Sequence, residues 1–145
     1  MSQNENAIAI KQDVDTVMPT LGINGTTYVS FEAETMKDKI ALYNALNNPA
    51  FKIGDMINKP IYIRDAIITG VEINDRNTGE LRDAARCTII DKDGKAYSAT
   101  SSGILNSLKN ILKVFGTLHF DEPLKVVVNQ VQTKNGNTLN LSISE

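Results

Sequence analysis

From Pro60 onward the chain alternates. Ile61, Ile63, Ile67, Thr69, Val71 and Ile73 take odd positions, broken only by Asp65, while Tyr62, Arg64, Ala66, Ile68, Gly70 and Glu72 take the even ones. A period of two sustained this long predicts a single extended strand. Gly70 inside it predicts a bulge or bend that curls the sheet. The polar run Asn74–Glu80 turns the chain, and a second strand is expected from about Ala84 to Asp91, with Ala85, Cys87 and Ile89 on one face. Asp91-Lys92-Asp93-Gly94 has the form of a hairpin turn with a left-handed glycine, leading to a third strand over Lys95–Thr100. The period then changes. Ile104, Leu105, Leu108, Ile111, Leu112 and Phe115 form one helical stripe, with Ser101 or Ser102 as cap and Gly116 as stop. Strands at Leu124–Gln132 and Thr138–Ser144, joined by a turn at Asn135-Gly136, complete the chain.

Upstream, Tyr28–Glu32 alternates weakly and predicts a short strand. Thr35 stands as the cap of a helix with Met36, Ile40, Tyr43 and Leu46 at helical spacing, ended by Asn47-Asn48-Pro49. Residues 1–25 are polar, with breakers at Pro19, Gly22 and Gly25, and read as a flexible arm ahead of a domain spanning 26–145. Within the arm lies an apolar island, Ala7, Ile8, Ala9 and Ile10, suited to docking on a neighbouring copy. The predicted fold is mainly β with two helices. From Ile61 the order is three strands, a helix and two strands, which is the topology of a five-stranded OB-fold barrel with a helix between strands 3 and 4. Such barrels bind single strands or sugars on a sheet face and its loops.

Composition narrows the class. The chain has 145 residues, 41% apolar and 22% charged, which suits one soluble domain. Its single cysteine, Cys87, excludes an intramolecular disulfide and any multi-cysteine zinc pattern, and fits a reducing cytoplasm. No apolar run is long enough to span a membrane, and the N-terminus lacks a basic stretch followed by an apolar one, so neither insertion nor a cleaved signal is expected. The formal net charge is −2, divided as −3 over residues 1–49 and +1 over 50–145. With no strongly basic half, a nucleic-acid ligand has to be held largely by base stacking.

Catalytic chemistry finds little purchase, and no catalytic residue, metal site, cofactor or small-molecule substrate is expected. His119 is the only histidine, and a histidine metal site of the usual kind needs companions that the chain does not supply. Pairing it with Asp121 as an oriented base, in an enzyme or sugar-binding barrel, is the weaker reading. Asp91–Gly94 lacks the further ligands of a calcium loop, and no phosphate loop or dinucleotide fingerprint is present. A binding face has more content. If odd positions of the first strand face the core, Tyr62 and Arg64 point outward, Arg86 lies on the same face of the second strand, and Lys95 and Tyr97 on that of the third. Aromatics interleaved with cations are what single-strand binding needs, since every base offers a π face. Phe51, just after Pro49 and among Lys52 and Lys59 at the entry to the first strand, is a third platform, or else a plug packed on Ile53, Met56 and Ile57. Tyr62 and Tyr97 have their own alternative as a cross-strand pair covering a polar face.

The stretches Phe51–Met56, Ile61–Asp65, Tyr97–Ile104 and Leu124–Val128 resemble small single-stranded DNA-binding OB-fold proteins of phages and conjugative plasmids of Gram-positive bacteria. The resemblance covers the barrel and the arm. It implies sequence-independent binding of single-stranded DNA, with Phe51, Tyr62 and Tyr97 stacking bases and neighbouring copies linked through the arm into a homo-oligomer along the strand. Lys52, Lys59, Arg64, Arg86 and Lys95 are the expected phosphate contacts. The residues through Glu145 lack the flexible acidic tail with which chromosomal single-strand binders recruit partners, so that route of recruitment is not implied. A protein-interaction module of a phage particle or conjugation apparatus, with the same tyrosines as anchors, is the alternative.

Overall fold

The computed structural model describes residues 8–9, 17–75, 77–134 and 136–143. Eight strands and two helices follow in the order β1 (Ile8–Ala9), β2 (Thr27–Val29), α1 (Met36–Asn47), β3 (Phe51–Lys52), β4 (Pro60–Asn74), β5 (Leu81–Asp91), β6 (Ala96–Ala99), α2 (Ser102–Phe115), β7 (Leu124–Thr133) and β8 (Gly136–Ile143). β4 organises the sheet. One edge pairs along most of its length with β5, while the other is shared, β7 taking Pro60–Ile63 and β2 taking Ile67–Thr69. β5 continues to β6 and β7 to β8. The fold is therefore mainly β with two helices and a curled, open sheet.

Closure differs from the expected five-stranded barrel. Among the described residues β8 pairs only with β7, and β6 takes the short parallel strand β3 on its free edge. The chain between β3 and β4 bridges the gap instead. Ile53 is fully buried, Ile57 bridges Val128 of β7, and Asn58 donates to the Val128 carbonyl. α2 covers the β8 side, where the Ser107 hydroxyl accepts from Leu141 N–H. Gly103 permits this approach, because a Cβ there would fall on the Leu139 carbonyl.

The principal core joins Ile61, Ile63, Ala66, Ile68, Cys87, Ile89 and Tyr97 of the sheet to Ile104, Leu108, Ile111 and Leu112 of α2. Inward positions switch from odd to even along β4. The cause is a register shift between Ile63, opposite Asp91, and Asp65, opposite Ile90. Gly70, expected to mark the bend, serves a different need: a Cβ there would collide with the backbone of Ile23. Thr26 and Gly25 are hydrogen-bonded to Gly70 at that crossing.

Beyond the shift the outer face of the sheet is also covered. Val29, Leu42, Ala45, Ile67 and Ile90 form a second core, on which α1 packs. Thr35 and Ser101 cap the two helices through their hydroxyls, and Gly116 ends α2 in the left-handed conformation. α1 is rotated from the expected stripe, of which only Leu46 packs against this core. Leu42 and Ala45 are buried, whereas Met36, Ile40 and Tyr43 are 72%, 53% and 64% exposed. Phe115, placed in the buried stripe of α2, is exposed as well.

The folded body begins earlier than residue 26. Val17 and Leu21 are buried in the principal core, so the chain from residue 17 belongs to the folded body. Of the apolar island, Ile8 and Ala9 pair in parallel with Thr27 and Tyr28 of β2. Ala7 and Ile10 lie outside the described residues.

Candidate nucleic-acid interface

The turn between β5 and β6 is built by a single carboxylate. Asp91 accepts from the N–H groups of Asp93 and Lys95, each at 2.9 Å, and Gly94 adopts φ +86°, the left-handed value the turn demands. This geometry aims two cations in different directions. Lys92 Nζ stands 4.6 Å from the centroid of Tyr62 on β4, and Lys95 Nζ stands 5.9 Å from that of Phe51 on β3. Lys125 of β7 lies opposite Tyr62 in the ladder, and Lys52 and Lys59 flank the two aromatics in sequence, all three exposed.

Phe51 is not a buried plug. It is 42% exposed, and beneath it the Tyr97 ring packs at 5.2 Å between centroids with a tilt of 32°. Tyr97 itself corrects the expected arrangement. It is only 7% exposed and belongs to the principal core, so the first- and third-strand tyrosines do not share an outward groove. The reason is strand parity: Tyr97 pairs with the inward-facing Ile89, while the smaller Ala96 pairs with Ile90 on the α1 side. Its phenol donates to Asp91 Oδ2 at 3.3 Å. Burial first, then the Asp91 charge, holds this phenol above its ordinary pKa and therefore protonated.

Arg64 and Arg86 stand apart from the turn in different ways. Arg64 lies on the Tyr62 side of β4, but its Nε is drawn to Asp65 at 3.3 Å. Arg86 is exposed opposite Thr69, seven residues or about 23 Å along the strand from Tyr62. Lys92 and Lys125 are the cations that sequence reasoning missed. Lys92 was hidden in a turn read only for its glycine, and the facing position of Lys125 needs the β4–β7 register.

A family model described as phage single-stranded DNA-binding protein matches residues 22–144. The chain belongs to this family. The match includes every residue of the aromatic and lysine arrangement from Phe51 to Lys125. No curated protein and no solved structure matches the chain. Single-stranded DNA binding is thus the general activity, in a family of DNA-binding rather than catalytic proteins. Among the described residues no helix is long and apolar enough to cross a membrane.

In this phage-type DNA-binding protein a second polar cluster lies on the other side of α1, around Asp65. Asp65 is 3% exposed, accepts from the Ser30 hydroxyl at 2.9 Å and faces His119 Nδ1 at 2.6 Å. His119 Nε2 lies 3.0 Å from Asp121 Oδ1. The Ser30 hydroxyl donates to Asp65 and accepts from Ala66 N–H, while the ring nitrogens of His119 face Asp65 and Asp121, so the histidine is not hydrogen-bonded to the hydroxyl as in a nucleophile–base pair. Cys87 is equally inert, because burial pushes its thiol up to about 12.

Both ring nitrogens of His119 face carboxylates, and only the imidazolium donates at both. The Asp65 hydrogen bond, followed by the charges of Asp65 and Asp121, outweighs desolvation and raises the His119 pKa above its usual 6.5. A raised folded value means stabilisation that is complete below about pH 6.5 and lost as the pH climbs through that raised value. Stability to urea is expected to fall across this window in the wild type. His119→Gln is expected to flatten the slope, and an unchanged slope refutes the linkage.

Proposed function

We propose that this protein coats single-stranded DNA without regard to sequence, seating bases on Phe51 and Tyr62. Lys92 and Lys95 meet the phosphates, joined by Lys52, Lys59, Lys125 and Arg64. The observation that carries the reading is one hairpin turn placing a lysine against each of two aromatic rings. Stacking is tolerant of sequence and contributes about 1–3 kcal/mol per base, which suits a chain with little net positive charge to offer. Tyr97 supports the Phe51 platform from beneath instead of meeting DNA. The order β4, β5, β6, α2, β7, β8 supports an OB-like ancestry, with the usual barrel closure replaced by the segment after β3. The setting that fits is an intracellular one, the replication or transfer of a phage or conjugative plasmid.

Fluorescence anisotropy with labelled oligo(dT) and a duplex of equal length tests this. Oligo(dT) is expected to bind tighter, because a duplex keeps its base faces stacked. With six cations in contact, log K is expected to fall by no more than about 4 per decade of salt. Equal or tighter duplex binding overturns the reading.

Association of neighbouring copies through the arm belongs to the same proposal. β2 offers an edge that accepts the backbone of Ile8–Ala9 in parallel, and the corresponding residues of an adjacent copy fit that edge by exchange. Because Val17 and Leu21 are core residues, the informative truncation removes residues 1–16 and no more. The truncated protein is expected to bind oligo(dT) but to lose large assemblies on size exclusion with long single-stranded DNA. Assemblies of unchanged size dispose of the arm's role.

A further inference from the structure

α1 carries an apolar stripe that the fold leaves uncovered. Met36, Ile40 and Tyr43 recur at i, i+4 and i+7 and are all more than half exposed. The stripe borders a groove of about 400 Å³ between α1 and the β5–β6 hairpin, within the ~300–1,000 Å³ range of ligand seats. Phe51 and Lys95, already placed at the interface, line this groove together with Lys37, Ile40, Asn44 and Asn48.

The charge of the groove distinguishes it from the rest of the molecule. Two lysines line it and no carboxylate does, although the chain as a whole carries a net charge of −2. The larger cavity on the other side of α1, about 780 Å³, sets four carboxylates, Glu32, Glu34, Asp38 and Asp65, against Arg64, His119 and the shared Lys37, so it lacks the carboxylate-free lining of the groove. Lys37, Ile40, Asn44 and Asn48 follow one another at spacings of three or four, so they run along one side of the helix over about 16 Å. A track with cations at Lys37 and Lys95, apolar surface at Ile40 and Phe51 and two amides between them offers each part of a nucleotide its partner. Phosphate meets ammonium, a base face meets apolar surface, and base edges meet amide donors and acceptors.

We propose that this groove is a second seat for single-stranded DNA, carrying the strand on from the Phe51 platform along α1. The inference rests on the proposed function and extends it to residues that no family likeness assigns. It makes α1 part of the binding surface and commits Lys37, Ile40 and Asn44 to contact with the strand.

The test uses the full chain, oligo(dT) probes of graded length, and two variants at exposed positions of α1. Lys37→Gln is expected to leave the shortest bound oligonucleotide unaffected, to weaken longer ones several-fold, and to lower the salt slope by about 0.7. Ile40→Glu places a carboxylate in the track and is expected to weaken long oligonucleotides by roughly tenfold. Circular dichroism and thermal midpoints, expected to be unchanged at these exposed sites, separate loss of contact from loss of fold. Wild-type binding that is weakened by Phe51→Ala but untouched by both α1 variants at every length overturns the groove and leaves the platform standing. Failure of the wild type to bind any oligonucleotide overturns the proposed function itself. A change in self-association without a change in DNA affinity also overturns the inference, and marks the stripe as a contact between copies.

Discussion

Asp65→Ala is expected to destabilise the fold by about 1–3 kcal/mol, the cost typical of leaving a buried polar group without its partner. Asp65 is the point at which three segments distant in sequence meet. Ser30 follows β2, Arg64 sits at the register shift of β4, and His119 belongs to the turn after α2; each directs a polar group at one or other Asp65 oxygen. Alanine removes all these acceptors at once. The Ser30 hydroxyl is then left with no acceptor in a buried site, and the His119 imidazolium keeps only the fully exposed Asp121. Asp65→Asn preserves the shape but turns half of the carboxylate into a donor, so an intermediate loss is expected. Urea denaturation at pH 6 and pH 8 checks both. The loss from Asp65→Ala should shrink at the higher pH, where His119 contributes less. A loss under about 1 kcal/mol at both pH values contradicts this role of Asp65.

The chain order of the elements was legible because the cues were local. Alternation marked β4, the Asp91–Gly94 turn announced β5 and β6, and the apolar stripe closed by Gly116 marked α2. What was not legible depends on what lies against each face. Alternation states that neighbouring residues oppose each other, but not which of them looks inward. One displaced residue between Ile63 and Asp65 reverses the answer for the rest of β4. The adjacent apolar pairs Ile67-Ile68 and Ile89-Ile90 did carry a signal: consecutive buried residues mean a sheet covered on both faces. Read that way, they announce α1 on the outer face, and with it the burial of Leu42 and Ala45 in place of Met36, Ile40 and Tyr43. On β6 the rule that aromatics interleaved with lysines face solvent failed because Asp91 satisfies the Tyr97 phenol from within. Phe51 escaped this difficulty. It lies on a two-residue strand at a sheet edge, where one ring face is covered by Tyr97 and the rest is open.

Phe51→Ala and Tyr62→Ala are each expected to weaken oligo(dT) binding by about 1–3 kcal/mol, or roughly 5- to 150-fold. Together they are expected to cost about 2–6 kcal/mol, since the two rings share no contact in the structure and independent sites add. Tyr97 supplies the control. Tyr97→Phe keeps the ring that supports Phe51 and gives up only the bond to Asp91, so DNA affinity should stay within about twofold while stability falls by ~1 kcal/mol. Tyr97→Ala removes the support itself and should weaken DNA binding through Phe51, which means that its effect vanishes in a Phe51→Ala background. That non-additivity separates a supporting ring from a stacking one, because a tyrosine that met DNA directly would still cost affinity once Phe51 was gone. If the Phe51→Ala, Tyr62→Ala double variant is folded and binds oligo(dT) as tightly as the wild type, neither ring stacks on a base. The two lysines of the turn would then act as phosphate contacts alone, a role that Lys92→Gln with Lys95→Gln reveals as a shallower salt dependence.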